Sequence, residues 1–261
     1  IQGEFGQASC ITATNVFAHI DDLVTLVEHV KRLLNDTGVF IIEAPYFGHL
    51  LENLESDTIY HEHLSYLTIS PLIPFFKKFG MDLFDIQQRD IHGGSIRIFI
   101  GKEGRHKVRD TVGRFCDHEV TARIFDMETL ASFSKKVRNH RHELVWLLMS
   151  LKRKGYRIAG VSAPAKGMTL LNYCKIGPEI LEFITEKSTL KNNRYAPGCH
   201  LPIKPDSALV EEGIEYALIL AWNFKDEIMS NLSEFRDSGG KFIIPIPHPV
   251  VVDPSEYKHR I

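Results

Sequence analysis

Gly160-Val161-Ser162-Ala163-Pro164-Ala165-Lys166-Gly167 follows an apolar run that ends at Val161 and opens a helical pattern over residues 165–173. A strand that turns tightly into a helix is the repeating step of a doubly wound α/β sheet. Backbone N–H groups and a lysine at such a turn can hold an anion. Read as Gly-x-Ser-x-x-Ala, the residues approximate the Gly-x-Gly-x-x-Gly/Ala dinucleotide turn, with Ser162 limiting the approach of a diphosphate and Lys166 supplying a charge in compensation. They do not make a hydrolase elbow, because Pro164 replaces the last glycine of Gly-x-Ser-x-Gly, nor a Walker loop, because Gly167 follows the lysine. Taken alone, the turn is also what any strand-to-helix connection looks like.

Outward from this turn, strands are expected at 156–161, 180–185, 216–222 and 242–246. They alternate with helices at 165–173, near 207–213 and at 225–235, an order that predicts a parallel sheet with helices on both faces. Upstream, a strand at 10–16 precedes a helix capped by Asp21 and Asp22, with Leu23, Leu26, Val27, Val30, Leu33 and Leu34 at helical spacing and a stop at Asp36-Thr37-Gly38. Val39-Phe40-Ile41-Ile42 is too short for a helix and suits a buried parallel strand. Ser70-Pro71 reads as a cap and first-turn proline for a helix that closes at Gly80. Strands at 81–87 and 95–100 follow, with His92-Gly93-Gly94 at or near the turn between them. A long helical pattern over 120–154, with Ile124, Met127, Phe133, Val137, Leu144, Leu147, Leu148 and Leu151 on its buried side, is expected to bridge two lobes.

With 261 residues, 44% of them hydrophobic, the chain can bury a substantial core. Its 31 basic and 33 acidic residues nearly cancel, which argues against nucleic acid or an anionic membrane as partner and for a small, locally recognised ligand. Cys10, Cys116, Cys174 and Cys199 form no Cys-x-x-Cys pair, so neither a disulfide framework nor a zinc knuckle is indicated and a reducing cytoplasm is the expected location. No apolar run reaches the ~18 residues of a membrane span, and no basic-apolar leader opens the chain. The start at Ile1, almost directly on a strand, reads as a fragment.

Proton-transfer chemistry concentrates in Asp57-Thr58-Ile59-Tyr60-His61-Glu62-His63, where a phenol, carboxylates and two imidazoles share seven residues. The His-Glu-x-x-His metal signature would need an imidazole where Ser65 stands, so no metal is expected. An ordinary polar loop with surface histidines is the plainer alternative. His19 follows the first strand at the carboxyl edge, where open α/β sheets place ligands, although a lone histidine there is more often a buried one bonded to a carbonyl. The loop from Arg194 to Ile203 carries a cation, an aromatic ring and an imidazole, which suit a base and a phosphate.

These segments together resemble a known family. Asn15-Val16-Phe17-Ala18-His19, the stretch from Asp57 to Leu64, His92-Gly93-Gly94-Ser95-Ile96-Arg97, the stretch from Ala163 to Tyr173, Pro197-Gly198-Cys199-His200-Leu201-Pro202-Ile203 and Ala221-Trp222-Asn223-Phe224 occur in the order found in S-adenosylmethionine-dependent C-methyltransferases acting on nucleotide-linked keto sugars. The resemblance implies three modules: an amino-terminal zinc-binding lobe, a methyltransferase lobe, and a doubly wound lobe that holds the nucleotide sugar. It makes residues 1–104 the later half of a Rossmann-like methyltransferase lobe, from its fourth strand onward. Residues 105–261 become the Rossmann-like nucleotide-sugar lobe with its long connecting helix. The zinc cysteines, the glycine-rich S-adenosylmethionine turn and its ribose-binding acid are not in this chain, so zinc belongs to the absent lobe and cofactor binding to the parent protein.

By the same resemblance Tyr60, Glu62, His63 and His19 are assigned to the active site. His63, polarised by Glu62, would remove the proton beside a ketone, while Tyr60 and His19 orient the sugar and stabilise the enolate; His19 and His63 can exchange roles. Ala165, Lys166, Thr169 and Asn172 are carried over to the diphosphate, Ser95 and Arg97 to the sugar side, with His200 and Asn223 nearby. Two alternatives stand beside this reading. One is an NAD-dependent nucleotide-sugar epimerase or dehydrogenase built on the Gly160 turn, with Glu186 on a ribose. The other is a non-catalytic nucleotide-sugar-binding module.

Overall fold

The run Val39-Phe40-Ile41-Ile42 lies inside a longer strand. In the computed structural model, which describes residues 2–89 and 94–253, a short helix α1 (Gln2–Phe5) precedes β1 (Ala8–Thr14), and helix α2 (Leu23–Leu33) returns the chain to β2 (Leu34–Pro45), parallel to β1. Asp22 caps α2 by accepting the Thr25 N–H at 2.9 Å, and Val27, Val30 and Leu34 face the core. The helix stops at Leu33 rather than at Asp36-Thr37-Gly38, because Leu34 already pairs with Ala8 at the start of the strand.

After α3 (Phe47–Glu52) come α4 (Ile69–Lys77), β3 (Met81–Arg89), β4 (Ser95–Lys102) and α5 (Asp110–Thr121). The four strands form one mixed sheet in the order β1-β2-β4-β3, with β4 antiparallel to both neighbours. Ile96, Ile98 and Ile100 are fully buried, as their alternation requires. Of the expected turn, His92 and Gly93 lie outside the described residues. Ser70 is not the cap of α4: Thr68 occupies that position without a side-chain bond, and the buried Glu119 carboxylate on α5 takes the free Ile69 and Ser70 N–H groups.

The pattern over 120–154 is broken. Arg123 takes φ +51, and α6 (Met127–Arg153) begins only after it, which leaves Met127 77% exposed instead of buried. Leu144, Leu148 and Leu151 face the core as expected.

A second sheet is built from β5 (Ile158–Val161), α7 (Ala165–Cys174), β6 (Ile184–Thr185), β7 (Ile203–Lys204), α8 (Ala208–Glu211), β8 (Tyr216–Ile219), α9 (Lys225–Asn231), α10 (Ser233–Asp237), β9 (Lys241–Ile244) and β10 (Val250–Val252). Its order is β10-β9-β8-β5-β6-β7, parallel except for β10. Alternate residues of β5 serve opposite faces. Ile158 packs with Leu144, Leu148 and Leu171, whereas Ala159 and Val161 pack with Met229, Leu232 and Phe235. Helices therefore cover both faces, and the chain winds first to one side of β5 and then, from β8, to the other. The expected α/β class holds.

By compactness the chain forms two units, Ile1–Asn53 with His61–Ser132, and Leu54–Tyr60 with Phe133–Ile261. The division falls within α6, and the acid/base segment is itself divided between Tyr60 and His61. Among the described residues no helix is long and apolar enough to cross a membrane.

Candidate functional site

In the first unit, β1 ends at Thr14, Asn15 takes φ +53, and a single 3-10 turn, Phe17–His19, buries Phe17 and Ala18 while presenting His19 to solvent. The Ala18 carbonyl accepts the Leu64 and Ser65 N–H groups at 2.8 and 3.2 Å. These bonds bring His63 beside His19, ring centroids 5.0 Å apart and edge to face, with Tyr66 6.3 Å from His63 on another side. The sequence places both imidazoles in one site, and the fold brings them together. Glu62 is exposed and makes no hydrogen bond or ion pair among the described residues, while the His19 and Tyr66 rings both stand beside His63.

On the same sheet, Arg97 is paired in register with Glu43, its Nε and Nη2 donating to Oε2 at 2.8 and 2.6 Å. The two bonds converge on one oxygen and engage the guanidinium with a carboxylate that is itself buried. Ser95, the first residue of β4, is buried. Both belong to the first unit, whereas the residues carried over to the diphosphate belong to the second.

In the second unit the reversal of strand order lies between β5 and β8, the place where open parallel sheets bind ligands at their carboxyl ends. Ser162 leaves β5 with φ +68, a backbone region more often filled by glycine. Gly167 allows α7 to lie against the β8 end, since a Cβ there would sit 2.8 Å from the Leu220 Cβ. Lys166 is thereby set on the face of Trp222, its Nζ 4.2 Å from the ring centroid. The indole Nε1 donates to Asp57 Oδ2 at 2.7 Å, and Asp57 is 1% exposed. Burial pushes the Asp57 carboxyl up, against the Lys166 charge and the indole bond; burial likewise pushes the Lys166 ammonium down, against Asp57 and Glu55. The Asp57–Trp222 pair was not legible in the sequence. The two residues stand 165 positions apart, and no motif joins them.

The other carried-over residues divide. Ala165 is exposed on the first turn of α7, and the Thr169 hydroxyl donates back to the Ala165 carbonyl at 3.3 Å. The Asn172 amide donates to Met168 and Pro197 carbonyls at 2.8 and 3.1 Å, tying α7 to the 197–200 loop, so its first role is to hold that loop. His200, exposed with φ +54, lies in this loop, and Asn223 beside Trp222 buries an Oδ1 with no partner among the described residues. Gly198 takes φ +81, and a Cβ there would stand 2.1 Å from Asn172 Oδ1. Gly198→Ala is expected to lower stability by about 1–2 kcal/mol in urea unfolding; a change below ~0.3 kcal/mol would show that the Asn172 tether is slack.

The family described as C-methyltransferase C-terminal domain matches residues 90–247, more than half of the chain. The chain belongs to this C-methyltransferase family. A methyltransferase domain family matches residues 2–85. C-methyltransferase NovU of Streptomyces niveus is 34% identical over 248 residues, 95% of this chain and 59% of the relative. The chain thus spans under two thirds of that relative's length.

The methyltransferase match raises the question of a methyl donor. Among the described residues of the first sheet, neither parallel strand leads into a glycine-rich turn: β1 is followed by Asn15 and the 3-10 turn, and β2 by Tyr46 and α3. No cluster of three or more His, Cys, Asp or Glu suited to a metal lies among the described residues.

The β5–α7 turn also speaks to the dehydrogenase alternative. Glu186, just after β6, accepts the Ala163 N–H at 3.0 Å, the Ser188 N–H at 3.1 Å and the Lys191 ammonium at 3.3 Å. Burial raises its carboxyl pKa, but these bonds outweigh burial and hold it below the usual range. A carboxylate of the chain itself thus occupies the amide that a dinucleotide diphosphate would need, which counts against a nicotinamide site there.

Proposed function

We propose that the chain is part of a C-methyltransferase that moves a methyl group from S-adenosylmethionine to the carbon beside the ketone of a nucleotide-linked keto-deoxysugar. The observation that carries this reading is the His19–His63 pair at the carboxyl end of a parallel strand pair. A carbon next to a carbonyl becomes nucleophilic only after losing a proton, so such a site needs one group to accept it and another to donate toward the enolate oxygen. His63 takes the proton from the α-carbon and its C–H electron pair moves into the enolate. His19 orients the ketone and stabilises the oxygen, and the two imidazoles can exchange these roles. The name of the NovU relative supports C-methyl transfer. The nucleotide-sugar substrate rests on the resemblance and on the cation at the β5–β8 reversal.

In the second unit Lys166 meets the diphosphate, with the Ala165 end of α7 beside it. Calorimetry on this chain tests the reading: nucleoside diphosphates and nucleotide sugars are expected to bind and NAD is not. Lys166→Ala is expected to raise the nucleotide-sugar dissociation constant by roughly tenfold or more, the scale of a charge-assisted phosphate bond. Tight NAD binding with no nucleotide-sugar binding would overturn the assignment.

A further inference from the structure

Lys166 is held in an unusual way. Among the described residues no hydrogen bond or ion pair engages its ammonium, whose fixed neighbour is the face of Trp222. The same indole donates from its edge to Asp57 Oδ2. The other carboxylate oxygen, Oδ1, is buried without a hydrogen-bond partner among the described residues, so compensation for burying this charge comes first from Lys166 at longer range. An indole that donates its N–H to a carboxylate gains electron density in its ring, which strengthens its attraction for a cation on its face.

We propose that Asp57 is a positioning residue which, acting through Trp222, keeps Lys166 charged and in place while leaving its three N–H donors to an anionic substrate group. This rests on the reading of Lys166 as the diphosphate seat. A lysine fixed by a conventional ion pair would offer fewer donors. Fixed by a ring face and a carboxylate beyond it, the ammonium is restrained yet open. The charged groups facing Lys166 are Asp57 and Glu55 of the Leu54–Tyr60 segment. The rest of α7 carries no other charge. Arg138 of α6 lines, with Asp57, Ile59, Phe133 and Tyr173, a cavity of about 390 Å³.

Burial holds the Lys166 pKa below its ordinary value, and Asp57 is the largest influence opposing that. The ammonium contributes to anion binding below its pKa, and the contribution is lost as pH rises through it. Without the Asp57 charge that loss moves to lower pH.

The test is Asp57→Asn in the full chain, titrated with uridine diphosphate and thymidine diphosphate by calorimetry from pH 6 to 9.5. The variant is expected to bind several-fold more weakly at pH 7 and roughly tenfold or more at pH 9, one unit of pKa corresponding to a factor of ten. Asp57→Glu should restore much of the wild-type profile, and Trp222→Phe, which keeps the face and removes the N–H, should shift it in the same direction as Asp57→Asn and supplies the test should that variant not fold. A pH profile parallel to wild type, with only a lower melting temperature, would overturn the proposal and leave Asp57 a packing residue. If Lys166→Ala weakens binding and neither Asp57→Asn nor Trp222→Phe alters the profile, only the positioning role fails. If Lys166→Ala itself leaves affinity unchanged, the diphosphate seat fails with it.

Discussion

His63→Ala is expected to slow methyl transfer in the complete enzyme by at least ~100-fold, about 2.7 kcal/mol of transition-state stabilisation, while nucleotide-sugar affinity changes by no more than about twofold. The separation arises because His63 belongs to the first unit, beside His19, whereas Lys166 and the β5–α7 turn belong to the second. The proton step can be read apart from the methyl step by exchange of the substrate α-hydrogen with deuterium from solvent. His63→Ala should abolish exchange, and His19→Ala should weaken it less if His19 only orients and stabilises. The reverse ranking would exchange their roles. Unchanged turnover and exchange in His63→Ala would remove it from the mechanism.

Glu119→Ala is expected to destabilise the first unit by about 3 kcal/mol or more. Its carboxylate is fully buried and accepts the Ile69 and Ser70 N–H groups, the Ser70 hydroxyl and, at 3.2 Å, the Tyr46 hydroxyl. Burial and the adjacent carboxylate push the Tyr46 phenol well above its ordinary value, so it stays a donor at every working pH. Removing the acceptor strands two helix-terminal amides and a phenol away from water, and each buried donor left unpaired costs about 1–3 kcal/mol. Glu119→Gln, which keeps one acceptor oxygen, should lose roughly half as much. Urea unfolding followed by fluorescence measures both. A loss under ~1 kcal/mol for the alanine variant would mean that water replaces the carboxylate.

Glu119 also shows where sequence reading stops. Ser70-Pro71 has the local form of a helix start, and it does lie in the first turn, but the group that completes the cap comes from a helix 49 positions later. Spacing within one segment cannot reveal a partner that only the fold brings near. The same holds for the expected helix over 120–154, whose apolar spacing continues across the break at Arg123 because neighbouring helices can share a periodicity without sharing an axis. Asn172 and Arg97 are the right residue types for a ligand site, yet each is bonded to a neighbour that sequence order hides, Pro197 for one and Glu43 for the other.

What the sequence determined by itself was local and periodic. The alternation of apolar runs with helical stretches specified an α/β chain, Asp22 marked a helix start, the isoleucines of β4 marked a buried face, and the histidine-rich segment supplied candidate proton-transfer groups. These follow from rules that act over a few residues, where backbone geometry fixes which side chains share a face. Only the tertiary structure decided that His63 meets His19, that Glu186 fills the amide of the β5–α7 turn, and that Asp57 and Lys166 share one indole. Those pairings depend on which strand lies beside which and on how closely helices approach the sheet, and packing of the whole core settles both.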